Sequence, residues 1–151
     1  MATSTGRVLY TARANVTGGR SNGHGRSDDG ALDVQLRTPP ELGGEGGGTN
    51  PEQLFAVGYA ACFEGALGVA ARRERLEVAD VAIDSRVSLL PTDERTFRLG
   101  VELDVTLPSV DPDQAVGLVQ AAHRVCPYSN ATRGNIDVTL TANGAPVPVE
   151  Q

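Results

Sequence analysis

There is no lysine in this chain; all 13 basic residues are arginine. That excludes a Schiff-base lysine and the lysine of a phosphate-binding loop together. Positive charge is also in deficit. Thirteen Arg against 19 Asp and Glu leave a net charge of −6, which argues against a general nucleic-acid binder. Cysteine is scarce, with 2 residues in 151. No signal peptide, transit peptide or lipidation motif opens the sequence, so a cytoplasmic location is expected. In that setting a cysteine pair fits a catalytic or redox role better than a structural staple. Two unrelated buried thiols are the plain alternative. No linker or repeat interrupts the chain, and its length suits one domain, residues 1–151, with a core of its own.

What is there is organised around residues 49–73, TNPEQLFAVGYAACFEGALGVAARR. Asn50 suits a helix N-cap, Pro51 the first helical position, and Gln53 lies three residues past the cap. Between residues 54 and 71 the only charged side chain is Glu64. A helix so apolar is expected to be buried on every face. Its Gly and Ala content, and Glu64, make it a poor membrane span, so no membrane association is expected. Ahead of it, residues 8–16 (VLYTARANV) and 31–37 (ALDVQLR) read as two strands of a hairpin. Between them lies a turn-rich stretch, 17–30, that holds Arg20, His24 and Arg26. Residues 41–48 (ELGGEGGG) read as a flexible loop without the ending of a phosphate loop.

After the helix, residues 81–89 and 97–107 read as an antiparallel pair. Asp111-Pro112 starts a second helix, reaching to about residue 125, with Cys126 at its end and Pro127 stopping it. Residues 136–141 read as a last strand and 144–151 as a loose tail. The order ββ-α-ββ-α-β describes an α+β protein, an antiparallel sheet with two helices against it.

Cys62 lies about twelve residues into the apolar helix, beyond the reach of its N-terminal dipole. Burial alone would raise its pKa and leave it inert, so a reactive Cys62 needs a cation brought from elsewhere. Arg20, in a Gly-Gly-Arg turn, is the first candidate and Arg26 the second, although a solvated turn residue is the commoner fate of an arginine. Cys126 has His123 three residues before it. A metal site can be drawn from Cys62, His123 and Cys126, but the spacing fits no closed four-ligand pattern. His123 reads more readily as a helix-surface residue than as a base.

Residues 49–63 (TNPEQLFAVGYAACF) and 125–138 (VCPYSNATRGNIDV) closely resemble the organic hydroperoxide resistance proteins, the Ohr branch of the Ohr/OsmC superfamily. The TGGR of residues 17–20 and the LDVQL strand followed by ELGG match the same branch. The resemblance covers nearly the whole chain. It implies an OsmC/Ohr-like sheet wrapped around a central helix in an intertwined homodimer. It also implies a cysteine-based organic hydroperoxide reductase with no bound cofactor. Cys62 would be the peroxidatic and Cys126 the resolving cysteine, joined by a disulfide that a lipoyl dithiol on a lipoylated protein reduces. Arg20 would stabilise the thiolate, and Glu52 would orient Arg20.

On one unbroken helix Glu52 and Cys62 would lie roughly 15 Å apart along the axis and about 80° apart around it. Glu52 is therefore expected to act on the other subunit's Arg20–Cys62 pair, unless the helix breaks near Gly58. Leu42, Phe55, Phe63 and Tyr128 are expected along an apolar channel for alkyl or lipid hydroperoxides. The rival readings are an OsmC-type peroxidase of broader range, a non-catalytic redox or lipid-binding protein, and a structural zinc module.

Overall fold

The computed structural model describes residues 6–150. The chain divides into two compact units between Pro51 and Glu52. The first unit is an antiparallel meander of β1 (Ala14–Thr17), β2 (Asn22–Ser27) and β3 (Asp33–Arg37), in that order. The two strands expected to pair with each other instead flank β2, with Val16 opposite Gly25 and Gly25 opposite Val34. β2 falls in the stretch read as turn, because its buried positions are Gly23 and Gly25. With glycine on the inward face there is no hydrophobic alternation to read. β1 is also shorter than expected. Residues 8–13 lie outside it, and Val8, Leu9 and Tyr10 are exposed.

The β1–β2 turn passes through Gly18 and Gly19 at φ +74° and +65°, left-handed backbone open to glycine at little cost, and delivers Arg20 directly after it. The glycine-rich loop begins as a 3-10 turn, Pro40–Leu42. It is closed at its base, where Thr49 N–H donates to the Gln35 carbonyl (2.8 Å) and Arg37 N–H to the Thr49 carbonyl (2.9 Å).

The second unit holds α1 (Pro51–Arg73), β4 (Ala82–Pro91), β5 (Phe97–Thr106), α2 (Pro112–Val125), α3 (Pro127–Thr132), β6 (Val138–Ala142) and β7 (Ala145–Val147). The α+β class expected from the element order holds. The second sheet has the order β4-β5-β6-β7. β4–β5 and β6–β7 pair antiparallel, but β5–β6 pair parallel, because the chain crosses over through α2 and α3 between them. β7 occupies part of the stretch read as a loose tail.

Strand periodicity fixes which side of the sheet is core. Val101, Leu103 and Val105 of β5 and Val138, Leu140 and Ala142 of β6 are buried, while Glu102 and Thr139 between them are exposed. Against that face pack Ala115, Leu118, Val119 and Ala122 of α2 and a stripe of α1: Tyr59, Phe63, Ala66, Leu67, Ala70 and Ala71. Each Leu or Phe fully buried there contributes about 1.5–3 kcal/mol of apolar transfer.

α1 is long and apolar enough to cross a membrane by length and composition, yet this stripe belongs to the protein core. In one chain the helix is covered along the stripe and not on every face, and Val57 is 71% exposed. α2 starts as expected, with the Asp111 carboxylate accepting from Gln114 N–H at 3.1 Å and Pro112 in the first turn. Pro127, read as a stop, also starts the six-residue α3, since a proline at the first helical position sacrifices no hydrogen bond.

Candidate active site

Cys126 stands at the joint between α2 and α3. Its N–H donates to the Ala122 carbonyl (2.8 Å), closing α2, and its carbonyl accepts from Asn130 N–H (2.9 Å), opening α3. The side chain is completely buried. Its Sγ accepts from Ser129 N–H at 3.5 Å, and its S–H donates to Cys62 Sγ at 3.6 Å. Both cysteines are free thiols. A disulfide bond is ~2.05 Å long, so the two sulfurs need to close by about 1.5 Å to join.

The two thiols are not equivalent. Cys62 is half-buried and receives a proton donor; Cys126 is buried and is that donor. Burial pushes the Cys126 thiol above its ordinary range against the pull of Ser129 N–H, and the bond to Cys62 adds a smaller push upward. Cys126 therefore rests as a thiol, and Cys62 is the sulfur open to an incoming molecule.

A buried polar network lies beside the pair. The Tyr59 hydroxyl is 2.8 Å from Ser129 Oγ and 3.1 Å from Thr132 Oγ1, and His123 Nδ1 is 2.9 Å from Ser129 Oγ. Arg133 extends it, donating from Nη2 to the His123 carbonyl at 2.5 Å. Tyr59, Ser129, His123 and Thr132 are all buried. Burial raises the Tyr59 pKa and lowers that of His123, so the phenol stays protonated and the imidazole neutral. The expectation of a surface His123 is corrected here. It lies one turn past Val119 on the inward stripe of α2. Its Nδ1 is engaged by Ser129, and among the described residues no group of three or more His, Cys, Asp or Glu is placed to hold a metal.

An aromatic cluster borders the network. The ring centroids of Phe55 and Tyr59 are 6.0 Å apart, those of Phe55 and Tyr128 5.9 Å, and those of Tyr59 and Tyr128 5.7 Å. Phe55 and Tyr128 line a mostly apolar cavity of about 600 Å³, together with Leu89, Phe97, Leu99 and Ile136. The Tyr128 hydroxyl sits over Gly58, where an added Cβ would meet it at 3.0 Å.

A sequence model of the OsmC-like protein family matches residues 44–141. The chain belongs to the OsmC-like family. It is 55% identical over 139 residues to the organic hydroperoxide resistance protein of Xanthomonas axonopodis pv. citri, covering 89% of this chain and 95% of that one. It is 48% identical over 134 residues to the organic hydroperoxide resistance protein OhrB of Bacillus subtilis, covering 88% and 97%. The crystal structure of an organic hydroperoxide resistance protein from Legionella pneumophila superposes with a TM-score of 0.86 at 49% identity, covering 96% and 100%. Within the family the chain thus falls in the organic hydroperoxide resistance branch.

Of the residues expected at the site, this family member brings Cys62 and Cys126 together and sets Phe55 and Tyr128 at one cavity. Phe63 is a fully buried core residue rather than a wall of that cavity. Leu42 lines a different, polar groove with Arg37, Thr38 and Gly43. Arg20 is half-buried after its glycine turn, and Glu52 is half-buried in the first turn of α1. α1 is continuous through Gly58, which removes the alternative of a broken helix. Sequence reasoning passed over Tyr59, Ser129, Thr132 and Arg133. One signal was present: a tyrosine on an apolar helix needs a partner for its hydroxyl once buried. Another was the i, i+3, i+4 spacing of Ser129, Thr132 and Arg133, which puts them on one face.

Proposed function

We propose that this chain is a thiol peroxidase that detoxifies organic hydroperoxides. The observation that carries the reading is the 3.6 Å contact between a half-buried Cys62 and a buried, protonated Cys126, in a family whose curated relatives are named for organic hydroperoxide resistance. The Cys62 thiolate attacks the distal oxygen of ROOH. The O–O bond breaks, the alkoxide takes a proton and leaves as ROH, and Cys62 becomes a sulfenic acid. Cys126 then attacks that sulfur. The S–S bond forms, the S–O bond breaks, and the Cys126 proton leaves with the hydroxyl as water. A lipoyl dithiol on a protein carrier returns the disulfide to two thiols by exchange and is itself oxidised to the cyclic disulfide.

The Arg20 guanidinium is the cation proposed for the Cys62 thiolate and for the charge developing on the peroxide oxygens. Glu52 holds it by a two-pronged ion pair. Ten residues of continuous helix separate Glu52 from Cys62, roughly 15 Å along the axis, so Glu52 serves the site of a second copy of the chain. The exposed Val57 on the uncovered side of α1 supports such a homodimer. The cavity beside Phe55 and Tyr128 takes the alkyl tail, where each buried methylene favours binding by ~0.8 kcal/mol. Hydrogen peroxide gains none of this.

Stopped-flow oxidation tests the proposal. Cumene hydroperoxide should oxidise Cys62 much faster than H₂O₂ does, and Cys62→Ser should abolish turnover. Cys126→Ser should allow one oxidation and then accumulate sulfenic or over-oxidised Cys62. Equal rates with the two peroxides would sink the substrate assignment, and turnover in Cys62→Ser would sink the mechanism.

A further inference from the structure

Two of the contacts between α1 and the segment formed by Cys126 and α3 share one spacing. Cys62 of α1 faces Cys126 at 3.6 Å; three residues earlier on α1, Tyr59 faces Ser129, three residues after Cys126, at 2.8 Å. They are neighbouring rungs between the same two segments. The sulfur rung is long and weak, whereas the hydroxyl rung is short and completely buried. Ser129 has every hydrogen-bonding group engaged. Its Oγ meets Tyr59 and His123, and its carbonyl accepts from Arg133 N–H (2.9 Å) and Thr132 Oγ1 (3.2 Å). Its N–H donates to Cys126 Sγ.

One arrangement of protons serves these contacts. The Thr132 hydroxyl donates to the Ser129 carbonyl, so the Tyr59 hydroxyl donates to Thr132 Oγ1 and accepts from the Ser129 hydroxyl. Ser129 Oγ then accepts from Nδ1–H of the neutral His123 ring. The network runs from α1 through α3 to α2.

We propose that Ser129, clamped between Tyr59 and His123, is a positioning residue that holds the Cys126 sulfur against Cys62, and so sets the rate of Cys126's attack and not of Cys62's reaction with peroxide. The proposal deepens the reading of Cys126 as the resolving thiol and rests on it. Cys126 lies at a joint between two helices, where small rotations would carry its Sγ away from Cys62. The Tyr59 rung fixes the spacing of the segments, and Ser129 N–H fixes the direction of the sulfur. Every ångström of drift lengthens the life of the sulfenic acid, which excess peroxide converts to sulfinic acid.

The test separates the two sulfurs and does not depend on peroxide. Cys62 is converted to a mixed disulfide with dithiobis(nitrobenzoate), releasing one thionitrobenzoate. Cys126 then attacks Cys62, forms the Cys62–Cys126 bond and expels the second, which is followed by its colour. Ser129→Ala and Tyr59→Phe should slow that second release about tenfold, the effect of one lost hydrogen bond at its upper range. The same variants should leave the cumene hydroperoxide rate at Cys62 within about twofold of wild type. They should also give sulfinic Cys62 at peroxide excesses where the wild type closes its disulfide.

His123→Asn, which keeps a polar atom near Nδ1, should fall between His123→Leu and wild type. If Ser129→Ala does not fold, Tyr59→Phe decides alone. Second release at the wild-type rate in the folded variants, or equal slowing of both steps, overturns the proposal. A Cys62 inert to cumene hydroperoxide, with second release still dependent on Ser129 and Tyr59, would instead overturn the peroxidase reading and leave the positioning role standing.

Discussion

Up to Pro51, Leu36 is the one buried hydrophobic side chain among the described residues, while Val8, Leu9, Tyr10, Val16, Leu32 and Leu42 are exposed. From Glu52 onward a continuous core runs through α1, β5, α2 and β6. The N-terminal meander is held mainly by backbone hydrogen bonds and turns, the second unit by packing. The two sulfurs lie in the packed unit, where neighbours fix distances closely. The proposed cation, Arg20, comes from the meander, on a turn of two left-handed glycines. On the proposed role of Arg20, sulfur geometry and sulfur reactivity are built in different parts of the chain, so each should change without the other.

The sharpest way to break that comparison is Arg20→Ala. It should slow Cys62 oxidation by cumene hydroperoxide about 10²–10³-fold, the usual cost of one preorganised stabilising donor. Closure of a Cys62 mixed disulfide by Cys126, and the melting temperature, should stay near wild type. Loss of closure as well would mean that the two parts are not separable. Next in size is subunit complementation. Inactive Glu52→Ala and Cys62→Ser chains, mixed and allowed to exchange, should regain part of the wild-type rate. No recovery after exchange verified by mass would place Glu52 outside the partner's site.

Gly58→Ala should raise KM for cumene hydroperoxide several-fold through the displaced Tyr128 hydroxyl, 3.0 Å from the added Cβ. Its stability should hold or rise, since alanine is favoured over glycine inside a helix by ~1 kcal/mol. An unchanged KM would detach Tyr128 from the substrate cavity.

The smallest effect is one of pH. His123 is held neutral below its ordinary value of 6.5, chiefly by burial and then by Arg133. The unfolded chain therefore binds a proton that the folded chain refuses. Stability contributed by this group is fully present above about pH 6.5 and declines as pH falls from there toward the lower folded value. Urea melts of wild type and His123→Asn across that window should show the variant with the shallower pH slope. Parallel slopes would mean that His123 does not titrate with unfolding.

Legibility from sequence divides along the same line as the packing. α1, α2, β4 and β5 were readable, because their caps and apolar periods are local signals that the core then uses. β2 was not, because glycine occupies its buried positions. α3 was hidden by reading Pro127 only as a terminator, and β7 is too short to show a period. The parallel β5–β6 pairing was implicit in a helix lying between two strands that share a sheet. At the candidate site, sequence reading singled out the two cysteines that the fold brings together, and Phe55 and Tyr128, which line one cavity that Leu42 and Phe63 do not. The Tyr59–Ser129–His123 network was not, since it joins residues 70 apart in the chain and depends on a burial of His123 that only the full stripe of α2 reveals.

The most direct test of the central claim is mass mapping of the reduced chain after one equivalent of cumene hydroperoxide. The account predicts a single Cys62–Cys126 cross-link within one chain, formed quickly and reversed by a dithiol. Two free thiols after that treatment, or a cross-link only between chains, would contradict it.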